Sequence, residues 1–172
     1  MKKTLYSCLL ISILFTGKVF AQGSAEKKGW PSAERYSFIT DCMGNAKKGM
    51  NEDAARYYCY CMQEYIERKY PAIEEAAKLT EADLNTPEMK KEIQDCLVSK
   101  SSWSSADRSD FLASCIESAK AELSEEKAKN YCGCTLFKME KKYPKVSDAT
   151  ALTEKMMQTP EFKKMIAECM AF

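Results

Sequence analysis

Cys59 and Cys61 stand one residue apart, and so do Cys132 and Cys134. With Cys42, Cys96, Cys115 and Cys169 they form two sets of four thiols. Thiols so spaced can exchange with disulfides through an activated thiolate, ligate a soft metal, or close permanent cross-links. Exchange needs a thiolate stabilised at a helix N-terminus or beside a cation, and both close pairs fall in the middle of a helical pattern. Cys132-Gly133-Cys134 is a closely spaced pair that a break in the helix would turn into a strained, reducible bond. Tyr60 stands where Gly133 does in the other set, so glycine is not a requirement of the motif. Structural zinc sites draw on cysteine pairs with about two to four residues between them, which this spacing does not offer. The ten methionines, which a copper carrier would use, fall mostly on apolar helical stripes, with Met156-Met157 the one adjacent pair. Structural disulfides are therefore the expected role. Redox exchange through the C-x-C pairs is the alternative, and cysteine-based metal binding the second.

Other chemistry finds little support. The chain has no histidine, which excludes a Ser-His-Asp or Cys-His nucleophile, a histidine-ligated zinc and an imidazole pH switch. Adjacent acids such as Glu74-Glu75 and Glu125-Glu126 diverge on a helix, and Lys90-Lys91, Lys141-Lys142 and Lys163-Lys164 read as solvated faces. No catalytic residue, metal-ligand set or cofactor is expected, and the sequence leans away from an enzyme.

The ninth cysteine, Cys8, belongs to a different part of the chain. Lys2 and Lys3 precede an apolar run from Leu5 to Phe15, and Ala21 suits the last position before a signal-peptidase cut. Residues 1–21 thus read as a cleavable secretory signal, too short to span a bilayer comfortably. Removing it leaves eight cysteines. It also takes Lys2, Lys3 and Lys18, so 26 basic residues become 23 against 25 acidic ones. That balance gives no basic footprint for nucleic acid or anionic lipid, and no later segment is apolar enough to enter a membrane stably. An extracytoplasmic location, periplasmic or secreted, is expected, where disulfides persist.

The elements that position the cysteines follow from an internal repeat. Shifted by 73 residues, the chain matches itself without a gap: 28 of the 70 positions from Trp30 to Ser99 are identical. The spacing C-x16-C-x-C-x34-C occurs twice. Residues 22–29 are a polar lead-in, 30–99 a first four-cysteine module and 103–172 a second. Apolar residues recur at helical intervals, as in Phe38, Ile39, Cys42, Met43 and Ala46. Asn51 and Ser124 are cap residues for a second helix that stops before Pro71 or Pro144, and Thr86-Pro87-Glu88 and Thr159-Pro160-Glu161 start a third. A short extra helix fits around Ala72 to Leu79 and Val146 to Leu152. The fold class is all-α: two tandem disulfide-stapled modules of about three main helices each. Trp30 and Trp103 are expected over the start of the first helix.

Residues two apart on a helix point about 200° apart. Cys59 and Cys61 therefore lie on opposite edges of the buried stripe, each toward a different flanking helix. Distances from the hairpin turns favour Cys42–Cys59 and Cys61–Cys96, with Cys115–Cys132 and Cys134–Cys169 in the second set. Cys42–Cys61 with Cys59–Cys96 stays open as the swapped alternative. On the same wheel Tyr57, Tyr60 and Glu64 fall outside the buried stripe, and their counterparts are Asn130, Gly133 and Phe137. Exposed tyrosines suit recognition, so Tyr57, Tyr60, Glu64 and Phe137 are the candidate surface for an unknown protein partner. The competing reading packs them against the other module.

Helices stapled by paired cysteines resemble the coiled-coil-helix-coiled-coil-helix proteins in that idea alone. The cysteine spacing differs from that family's, so none of its properties is carried over. The function expected is that of a non-catalytic helical repeat protein serving as a protein-binding or structural module.

Overall fold

The computed structural model describes residues 29–170. The signal segment and nearly all of the lead-in lie outside the described residues. Among the described residues ten helices follow one another: α1 Ser32–Ala46, α2 Glu52–Lys69, α3 Ile73–Ala76, α4 Glu81–Leu84, α5 Pro87–Leu97, α6 Ser105–Ala119, α7 Glu125–Lys142, α8 Val146–Thr150, α9 Glu154–Met157 and α10 Pro160–Cys169. No strand occurs among the described residues. Each helix of α6–α10 begins 73 residues after its counterpart in α1–α5, so the two sequence repeats adopt the same succession of elements.

Local chemistry sets the boundaries. The Asn51 side chain accepts from the Ala54 amide and Ser124 from the Lys127 amide, with two acids in the first turn of each helix they cap. Those acids and the basic pairs in the last turn, Arg68-Lys69 and Lys141-Lys142, complement the helix dipole. Thr86 and Thr159 cap α5 and α10 ahead of a proline in the first turn. The connection between the second and third main helices holds two short helices where the apolar pattern indicates one. Thr80 starts α4 with a reciprocal capping box to Asp83, and Thr153 caps α9 through the Met156 amide.

Three apolar clusters form. Trp30, Met62, Tyr65, Ile66 and Met89 centre one in the first half. Trp103, Phe111, Leu136, Met139, Phe162 and Met165 centre another in the second. The third, built on Ile39, Cys59, Tyr60, Cys134, Phe137 and Cys169, draws on both halves. The tryptophans reach farther than the first helix. Trp30 meets Phe38 of α1 at 5.7 Å between ring centroids, and its indole N–H donates to the Tyr70 carbonyl at the end of α2 at 2.9 Å. Trp103 repeats this with Phe111 and the Tyr143 carbonyl. A buried indole needs a partner for its N–H, and a helix end has carbonyls without one.

Candidate interaction site at the junction of α2 and α7

The cysteines frame α2 and α7. Cys59 bonds Cys42 on α1 and Cys61 bonds Cys96 on α5, with Cα separations of 5.8 and 5.6 Å. Cys132 bonds Cys115 on α6 and Cys134 bonds Cys169 on α10, at 5.8 and 5.5 Å. The second helix of each half is thereby fixed between its two neighbours, as the divergence of a C-x-C pair on a helix requires. Its remaining face is held at a set angle, and in both halves that face meets the other half.

Tyr57, Tyr60, Glu64 and Phe137 are brought together there, and they do not form an open surface. Tyr60 is 3% exposed and Phe137 2%. The Tyr60 ring stacks on Phe137 at 6.2 Å, Tyr57 meets Phe137 edge-on at 5.3 Å, and the Tyr60 hydroxyl donates to the Asn130 carbonyl at 2.9 Å. Gly133 lies under the Tyr60 ring: a Cβ added there would come within 2.6 Å of the hydroxyl oxygen. The helical wheel places these residues away from the neighbours within their own half. It takes no account of a second half, and an outward aromatic face is buried once α7 covers it. Burial raises the pKa of the Tyr60 hydroxyl, and the charge of Arg56 opposes it only in part. For Tyr57 burial again raises it, with Glu140 and Glu64 acting in the same direction.

Charged groups surround this aromatic contact. Glu64 accepts from Lys138 at 3.1 Å and Lys141 at 2.6 Å, and Lys138 also reaches Glu168 on α10 at 2.8 Å. Burial by itself raises the pKa of Glu64; the hydrogen bond from Lys141 and the charges of both lysines outweigh it and hold the carboxyl below its ordinary range. Burial lowers that of Lys138, and its bond to Glu168 with the charge of Glu64 reverses the sign. An open cleft of about 430 Å³ runs past these groups, lined by Arg35, Gln63, Glu64, Glu67, Lys138 and Glu168 among others. Within it Arg35 pairs with Glu67, and Lys138 with Glu64 and Glu168.

Two ion pairs at equivalent positions escaped the sequence reading. Arg35 forks onto Glu67, which also accepts from the Trp30 amide at 3.0 Å. Arg108 reaches Glu140 at 2.7 Å, and Glu140, its side chain 3% exposed, also accepts from the Ser101 hydroxyl. The signal was present: Arg35/Arg108 and Glu67/Glu140 are identical under the 73-residue shift, where most exposed charges are not. Gly29, with φ 139°, lets the chain turn close to Glu67, where a Cβ would lie 2.7 Å from Oε1.

Among the described residues no group of three or more histidine, cysteine or acidic side chains is placed to hold a metal ion, and no helix is long and apolar enough to cross a membrane. The arrangement can clamp two helical units together through an aromatic knob, a glycine recess and a rim of ion pairs. No family model matches the sequence, and neither a curated protein nor a solved structure matches it.

Proposed function

We propose that this chain is a non-catalytic helical repeat protein of an oxidising, extracytoplasmic compartment, exported by a signal cut after Ala21 and working as a protein-binding or structural module. The observation that carries the reading is the engagement of all eight cysteines among the described residues in four disulfides. Cys59, Cys96, Cys132 and Cys169 are 0% exposed, and Cys134 only 2%. Exchange requires an incoming thiolate to reach a sulfur, and the C-x-C pair with glycine between its cysteines is the more enclosed of the two. Ligation of a soft metal requires thiolates, which a disulfide does not provide. Four cross-links also answer the need of units of about 70 residues, whose apolar cores are marginal alone.

A disulfide reductase and isomerase assay on the oxidised full chain, on Cys132→Ser and on Cys134→Ser tests the reading. No turnover is expected from any of them, with a large loss of thermal stability in both variants. Turnover that disappears in a variant still folded at the assay temperature would overturn it.

A further inference from the structure

Tyr60 and Gly133 face one another across the junction, and they are the same position of the repeat, 73 residues apart. The contact is reciprocal farther out as well. Tyr36 of α1 donates to Glu126 in the first turn of α7. Asp53 of α2, the counterpart of Glu126, is hydrogen-bonded by Ser105 of α6 and lies in the field of Arg108. A surface that meets its own equivalent in this way has the isologous geometry of a twofold dimer. Two identical surfaces would nonetheless fail here. Tyrosine on both sides would overfill a space in which a single added Cβ already approaches the Tyr60 ring at 2.9 Å. Glycine on both sides would leave the volume of the Tyr60 ring empty.

We infer that the outer face of the second helix is a recognition surface for another four-cysteine module of this kind, and that the residue at the Tyr60/Gly133 position selects the partner, an aromatic side chain pairing with glycine. Glu64 adds to the selection. It holds Lys138 and Lys141, and a second-half module meeting its own copy would set Phe137, the counterpart of Glu64, before those lysines. Among the described residues no disulfide links the halves, since the four bonds lie within residues 42–96 and 115–169. The junction is therefore held without covalent help apart from the linker. This inference rests on the geometry of the junction and is separate from the redox question.

The test uses the full oxidised chain with a protease site inserted after Val98, which directly follows α5 and is 64% exposed. After cleavage of the folded protein the two fragments are expected to co-elute as a one-to-one complex in gel filtration. Tyr60→Ala, which removes the knob and adds no clash, should weaken the complex roughly tenfold or more. Gly133→Tyr should separate the fragments, and Tyr60→Gly combined with Gly133→Tyr should recover part of the association. Wild-type fragments that separate while both stay helical by circular dichroism would overturn the proposal. So would a Tyr60→Ala complex of unchanged affinity, or a first fragment that pairs with itself as readily as with the second.

Discussion

Replacing Arg108 by methionine tests whether the equivalent arginine–glutamate pairs, Arg35–Glu67 and Arg108–Glu140, hold the first main helix of each half to the second. Methionine keeps most of the apolar stem and removes the charge, so the loss reads electrostatics more than packing. Glu140 would keep its Ser101 hydroxyl and lose two contacts, those of Arg108 Nε at 2.8 Å and Nη2 at 2.7 Å, and with them the positive charge that balances a carboxylate whose side chain is 3% exposed. Breaking a buried pair from one side costs about 3–5 kcal/mol, because the remaining charge stays desolvated. At about 3–4 °C per kcal/mol for a chain of this size, the melting temperature should fall by about 10–20 °C. Lys91→Ala is the control. Its pair with Asp95 has side chains 75% and 51% exposed, where water and salt screen the charges, so its loss should hardly move the melting temperature. The assay is thermal unfolding by circular dichroism without reductant. Arg108→Met with Glu140→Leu should cost less than Arg108→Met alone, since neither charge is then stranded. A loss for Arg108→Met no larger than that for Lys91→Ala, or a double variant worse than the single, would refute the reasoning.

Tyr57→Ala with Tyr60→Ala should lower the melting temperature by more than about 10 °C, because removing a buried aromatic ring costs about 3–5 kcal/mol; a shift of a few degrees would return these tyrosines to the surface. Glu64→Gln should flatten the acid side of the stability profile. The folded-state pKa of Glu64 is depressed, so its stabilisation is present above the ordinary value of 4.5 and is lost as pH falls through the lower folded value. Urea midpoints measured from about pH 5 down to about pH 2 should therefore converge for the variant and the wild type at the acid end. On the alkaline side Lys138, whose pKa is raised, contributes fully below 10.5 and loses that contribution as pH rises through the higher folded value, and the Tyr57 and Tyr60 hydroxyls, also raised, add to the loss.

Much of the architecture was legible because each signal was local. The caps Asn51, Ser124, Thr86 and Thr159 act within three residues of themselves, and the angular divergence of Cys59 and Cys61 is a property of any helix. The second short helix in each connection was missed although Thr80 and Asp83 spell a capping box, because four residues carry no apolar period to detect. At the junction the sequence left two readings open, an exposed surface and a contact with the other module, and Tyr60 at 3% and Phe137 at 2% exposure fit the second. A helical wheel sorts residues by direction without saying what lies in each direction. Tyr60 and Gly133 have meaning only as a pair across 73 residues. The arginine–glutamate clasps hid for a similar reason: in a chain with 26 basic and 25 acidic residues, a buried pair looks like any other until identical positions are compared between the repeats.

The C-x-C spacing has a mechanical consequence. Each disulfide begins two residues after another ends, so within each half the bonds join into a covalent shortcut: Cys42 to Cys59, on to Cys61, and across to Cys96, with the same path from Cys115 to Cys169. A fully extended chain from residue 42 to residue 169 would span about 450 Å. Along the shortcut the load passes through two residue steps in each half and nineteen between Cys96 and Cys115, so extension stops at about 100 Å with the four bridges included. Pulled from its ends, the molecule would yield in the linker and at the junction, while each half behaves as a nearly inextensible link.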